Sequence, residues 1–303
     1  MKIGSLRVLA AFFSFFLKNG LLNTIRSGIP LGAREKFFLL VVLSELLFLY
    51  APTMLWLISR WTTSVWQNMH GIFLPPLFLY LIWEKFHGKG NSLSRQSSPL
   101  GFFFLVPALL ILSLDAAMKT QILSAVSLFI AIPGLFLLFL GKERTKAVIF
   151  PLLLLGFMLP VPLAAIEQLN LLLRKITTFG ISFLFPAFQI PFFVEGTTIF
   201  IPGEEILVGD ACSGFSTLYA MIVVAFVISH WCREFKKRVA VLVLSAPVAI
   251  FANILRTTSL VLLVHWKGAE ILNTFIHPLS GIIMFMFGLA VIFAVVKNSG
   301  SLF

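Results

Sequence analysis

Apolar residues in this chain gather in long, nearly unbroken blocks, without the strict alternation of a half-buried strand or the single apolar stripe of a surface helix. Blocks of spanning or near-spanning length lie at about 37–58, 66–83, 99–115, 121–140, 147–165, 212–231, 239–264 and 274–296. They predict eight membrane-spanning helices. Residues 166–211 are too many for an ordinary connection between two of them. Within that stretch Ile166, Leu169, Leu173 and Ile176 recur at helical spacing, with Glu167, Gln168, Asn170, Arg174 and Lys175 on the other sides. That predicts a helix lying in the membrane plane. Further on, residues 197–201 and 206–208 flank Pro202 and Gly203, the pattern of a short hairpin. The expected fold is an all-α polytopic membrane protein with an outer segment made of the in-plane helix and the hairpin. No internal repeat or low-complexity linker divides it, so a single domain over 1–303 is expected.

Composition agrees with this pattern. The 303 residues are 59% hydrophobic and 12% charged, with a mean hydropathy of +1.02, whereas soluble domains are about a quarter charged. A net charge of +11 would suit a nucleic-acid binder, but the cations fall between apolar blocks and form no stripe on a soluble element. They read as topogenic charge, with membrane lipid as the partner and nucleic acid excluded. With the amino terminus in the cytoplasm, the inside loops hold seventeen of the 23 Lys and Arg, the outside loops hold five (Arg60, Lys119, Arg174, Lys175, Lys267), and Arg256 lies within a span. This asymmetry predicts the orientation. At the start, Lys2 and the apolar run 8–17 resemble a signal peptide without a small-residue cleavage site before Lys18, so a retained interfacial or re-entrant segment is expected. Cys212 and Cys232 are separated by a span-length apolar run, too far to pair with each other.

Three polar residues of the carboxy-terminal third stand where an apolar one is the rule: Cys212, Arg256 and His277. In the predicted orientation Cys212 opens the sixth span at its outer end. Arg256 is 17 residues beyond Val239, about 26 Å up a core about 30 Å thick, and His277, 20 residues before Lys297, is about 30 Å above the inner face. Groups scattered over the sequence thus reach one depth. Such a trio supports acyl transfer through a thioester. The cysteine attacks as a thiolate, its pKa expected to be lowered by a helix amino terminus and nearby cations. The histidine moves protons, and the arginine, with free amides at the helix start, stabilises the oxyanion.

The strings GDACSGFSTL (209–218), NILRTTSL (253–260) and HPLSG (277–281) resemble, in order and spacing, the Cys, Asn-x-x-Arg and His motifs of the exosortases and archaeosortases. The resemblance implies a membrane-embedded cysteine protease or transpeptidase of a prokaryotic inner membrane, its active site facing outward. The implied substrate is an exported protein ending in a short motif, an apolar helix and a basic tail. The acyl group would pass to a surface acceptor, with lipid and polysaccharide as the candidate classes. By position, Cys212 is the nucleophile, His277 the acid/base and Arg256 the transition-state stabiliser, with no cofactor or metal. Asn253, one turn before Arg256, is expected either to orient the guanidinium or only to pack between helices, and Ser213 and Gly214 to support the cysteine turn.

Plainer readings stand beside these. A lone cysteine in an apolar helix is usually an inert small hydrophobe, which is the expectation for Cys232. Arg256 is close enough to the surface to snorkel, His230 and His265 read as structural, and Asp210, Ser213 and Ser216 have the chemistry of helix caps. Glu45, inside the first span, would suit an ion path in a transporter, but one isolated acid makes no path. The remaining alternatives are a membrane cysteine protease that only hydrolyses, a multi-span transporter, and a non-catalytic assembly or binding protein.

Overall fold

The computed structural model describes residues 33–63, 69–87, 96–232 and 234–298. The expected amino-terminal segment lies outside them. Two compact units form, divided between Pro160 and Val161.

The described elements of the first unit are helices: α1 Ala33–Thr62, α2 Leu74–His87, α3 Leu100–Met118, α4 Ile122–Phe139, α5 Gly141–Ala147 and α6 Ile149–Leu154. Helices α3 and α4 approach closely at Gly101 and Gly134. A Cβ on Gly134 would come 3.0 Å from the Gly101 carbonyl oxygen, so small residues permit the contact. The buried Asp115 carboxylate braces the α3–α4 turn, accepting from the backbone N–H groups of Thr120 and Gln121 and from the hydroxyls of Thr120 and Ser124. Tyr50 of α1 hydrogen-bonds Ser127 at 2.6 Å, and Ser127 donates to the Ala108 carbonyl. Glu45 is exposed on α1.

Two expectations need correction here. The second span shrinks to α2, only 14 residues long and short of the ~20 that cross a bilayer. The fifth, expected over 147–165, is interrupted: α6 tightens into a 3₁₀ turn at Leu155–Met158, and the chain is extended at Leu159 and Pro162. Pro160 and Pro162 explain the break, since each lacks a donor and disfavours helix at the residue before it.

The second unit contains α7 Leu163–Leu184, the strands β1 Phe193–Glu195, β2 Thr198–Ile201 and β3 Glu204–Leu207, then α8 Asp210–Ser213, α9 Phe215–Trp231, α10 Phe235–Lys267 and α11 Ile276–Asn298. Five described helical segments are long and apolar enough to cross a membrane: 100–118, 122–139, 163–188, 235–267 and 276–295. Segments 149–158 and 215–231 are apolar but shorter. The helix expected in the membrane plane over 166–176 is therefore part of a longer one. Its polar residues do not form one wet face, because Asn170, Thr177 and Thr178 are buried.

Packing divides this unit along the axis of α10. Toward the start of α10, Met221, Ala225, Ile228 and Cys232 of the α9 segment meet Val241 and Ala249 of α10 and Ile292 of α11. Toward its end, Ile181 and Phe185 meet Ile199, Ile201, Ile206 and Val208 of the sheet region and Val261 and Val264 of α10. Helix α7 runs beside this second half, with Thr177 against Asn253 and Gly180 against Ile254. The antiparallel sheet has the order β1-β2-β3. The expected hairpin at Pro202-Gly203 is β2–β3, with Ile201 opposite Glu204, while β1 is a strand the sequence pattern did not announce.

Candidate active site

Cys212, Arg256 and His277 meet where the helical packing gives way to the sheet packing. The chain leaves β3, makes the single turn α8, and reverses into α9 through Gly214 at φ +82°. A left-handed residue at that point favours glycine, and space requires it as well. A Cβ there would sit 2.5 Å from Cγ of the buried Asn253. Cys212, half-buried on this turn, places Sγ 3.6 Å from His277 Nε2.

Arg256, 7% exposed, extends toward α11. Its Nε donates to Ser280 Oγ at 3.1 Å and an NH2 group reaches the His277 carbonyl at 3.5 Å. Ser280 in turn donates to the same carbonyl at 2.6 Å, so the guanidinium and the start of α11 are held together. Gly281 leaves room beside it, with a Cβ there meeting the guanidinium carbon at 3.6 Å.

Asn253 does something other than the expected orienting of Arg256. Its Nδ2 donates to the carbonyls of Cys212 (3.0 Å) and Ser213 (3.2 Å) and to Thr177 Oγ1 (3.1 Å). Ser213 Oγ donates to Asn170 Oδ1 at 2.8 Å and accepts from the Phe215 N–H. The Cys212 turn is thus fastened to α7 and α10 by buried amides. Ser280, Asn170 and Thr177 were not read as site residues from the sequence. The available signal was the seven-residue spacing of Asn170 and Thr177, which puts both on one side of a helix.

Electrostatics also correct one expectation. Burial pushes the Cys212 thiol above its ordinary value, and the Arg256 charge, pulling downward, does not outweigh it. The Cys212 N–H is turned back to the Gly209 carbonyl at 3.0 Å. The other cysteine is remote in character: Cys232 is buried and its thiol donates to the Ile228 carbonyl. Among the described residues no group of His, Cys, Asp and Glu is arranged to hold a metal ion.

Helix geometry sets the site at one level. From Phe215 to Trp231, from Phe235 to Arg256 and from His277 to Asn298 the rise is about 24 to 32 Å, close to the thickness of a hydrocarbon core. A nucleophilic sulfur, a ring base and a buried guanidinium at one end of an apolar bundle are the parts needed for acyl transfer.

A family model for transmembrane exosortases matches residues 61–294. No curated protein and no solved structure matches the chain. The match crosses both structural units and includes Cys212, Arg256 and His277, and the chain therefore belongs to the transmembrane exosortase family.

Proposed function

We propose that this protein is a membrane-embedded cysteine transpeptidase that removes the carboxy-terminal sorting signal of exported proteins. The observation that carries the reading is the 3.6 Å separation of Cys212 Sγ and His277 Nε2 beside the buried Arg256. The thiol proton passes to His277 and the thiolate attacks the scissile carbonyl. Charge developing on the carbonyl oxygen is met by the Arg256 guanidinium. His277 returns the proton to the leaving amine, which departs with the apolar helix and basic tail. The upstream part remains as a thioester on Cys212. An acceptor nucleophile, on a lipid or polysaccharide, then gives its proton to His277 and takes the acyl group.

The site faces outward from a prokaryotic inner membrane in this reading, because the basic loops lie at the other ends of α9, α10 and α11 and cations favour the cytoplasmic side. The sheet and the part of α7 beside the second half of α10 form the outer cap, and the chain works as one domain. The family match, continuous over 61–294, supports the last point.

The test is co-expression with a reporter that carries the tail signal of an exported protein, followed by size and mass. Cys212→Ser is expected to lower processing by at least about 100-fold while expression persists, and Cys232→Ser to process as the parent does. Full processing by Cys212→Ser would remove the nucleophile assignment. The mass of the product separates transfer from hydrolysis.

A further inference from the structure

β3 leads directly into the nucleophile turn, and it is an edge strand. The sheet order ends with it. The Val208 N–H donates to the Thr197 carbonyl at 3.0 Å. In an antiparallel ladder, bonded and non-bonded pairs alternate. The bonded pairs are therefore Ile199 with Ile206 and Ile201 with Glu204, in the observed register. Glu205 and Leu207 must direct their N–H and C=O groups away from β2. Among the described residues no hydrogen bond to these main-chain groups is found. Two donors and two acceptors thus lie open along a strand that ends five residues before Cys212.

The strand is close to the site in space as well as in sequence. Cys212 packs against the cluster that includes Ile206 and Val208. The apolar segments α9 and α11 lead away from the site in one direction, and the sheet packs on the half of α10 that extends in the other. A sorting signal has its apolar helix just after the scissile bond. If that helix lies along α9 and α11, where Ile282, Ile283 and Met286 are exposed, the residues before the bond must pass on the sheet side. They would run toward Cys212 in the direction in which β3 itself runs.

We infer that the free edge of β3, at Glu205 and Leu207, binds the substrate segment upstream of the scissile bond as an added parallel strand. The inference rests on the proposed function and specifies how that site takes its substrate. Main-chain hydrogen bonds then supply affinity for any extended peptide, and alternate side chains supply selectivity. The short length of β3 and the charge of Glu205 guard the same edge against self-association. Five residues of extended chain cover at most about 17 Å, so the strand-bound residues lie within about five positions of the cleaved bond.

The experiment uses the full-length protein and the reporter that the parent processes. Leu207→Pro deletes the outward N–H while leaving the bonds to β2, a substitution that edge strands accept. Its KM for the reporter should rise about tenfold, the upper range for one hydrogen bond, with the rate of Cys212 alkylation unchanged. Leu207→Ala should stay within about threefold of the parent, since it keeps that donor. Parent-like KM in Leu207→Pro, or an equal loss in Leu207→Ala, overturns the inference. Should Leu207→Pro also lose Cys212 alkylation, disulfide mapping decides. Leu207→Cys is placed in a Cys212→Ala, Cys232→Ser background, with single cysteines at successive upstream positions of the reporter. Cross-links at every second position support an added strand; none, or an unbroken series, refutes it. Normal processing by Cys212→Ser would instead sink the functional reading on which the inference stands.

Discussion

Cys212 sits under two opposed influences: burial disfavours its thiolate, and the Arg256 guanidinium favours it. Because burial is the larger, the thiol is held above its ordinary value, and in the proposed reaction its activation falls to His277. The rate of Cys212 alkylation by iodoacetamide, measured in Cys232→Ser, should keep climbing above the ordinary thiol pKa of about 8.5. Arg256→Gln, which removes the opposing charge, should move the rise to still higher pH. A rate already level below neutral pH would mean a preformed thiolate. Arg256→Lys tests a different property. It keeps the charge near Cys212 but lacks the planar fork that holds Ser280 and that, in the proposed reaction, meets the oxyanion. Its alkylation profile should stay near the parent's while processing falls roughly 100-fold, the scale of losing one oxyanion donor. Parent-like processing in Arg256→Lys would leave the residue a purely electrostatic role.

At the scale of elements, the decisive feature is how the turn between β3 and α9 is held. Asn253 fastens two of its carbonyls from α10 and Asn170 holds Ser213 from α7, so the sulfur is placed by groups that never touch it. Gly214→Ala should damage this twice, through a left-handed backbone costing about 1–2 kcal/mol and through collision with Asn253. Gly203→Ala carries a similar φ of +83° but meets nothing within 4 Å, so it should show the backbone cost alone. In detergent, Gly214→Ala should unfold at a clearly lower temperature than Gly203→Ala. Equal shifts would mean that the Asn253 contact gives way without cost.

At the scale of the whole molecule, orientation follows from charge. Lys236, Lys237 and Arg238 lie at the start of α10, a rise of about 30 Å before Arg256. Single cysteines introduced at 236 or 238, both exposed, in a Cys212→Ala, Cys232→Ser background should resist a membrane-impermeant thiol reagent in intact cells and react after lysis. Labelling from outside would reverse the orientation and put the Cys212 site on the cytoplasmic side. Pairing is local here as well, since Lys237 reaches Glu234 at 2.9 Å and Arg238 donates to the Cys232 carbonyl, so these cations also hold the turn between α9 and α10.

The sequence by itself determined that this chain lives in a membrane, that Cys212, Arg256 and His277 share a level, and that a hairpin turns at Pro202-Gly203. Each depends on local information: hydropathy over a window, the fixed rise of a helix, or the preferences of proline and glycine. Only the tertiary structure decided the rest. The length of an apolar run cannot say that Pro160 and Pro162 divide the expected fifth span, or that the chain re-enters a helix at Leu163. Asn170, Thr177 and Glu167 look alike in a periodicity count, and burial against α8, α9 and α10 is what separates the first two from the third. The partners of Asn253 were out of reach for the same reason. A neighbour one turn away is visible in sequence, whereas the Cys212 and Ser213 carbonyls, about forty positions away, become neighbours only when α8 packs on α10. The direction of the Cys212 shift followed, because proximity to a cation can be guessed from motifs but desolvation is a property of the assembled surroundings.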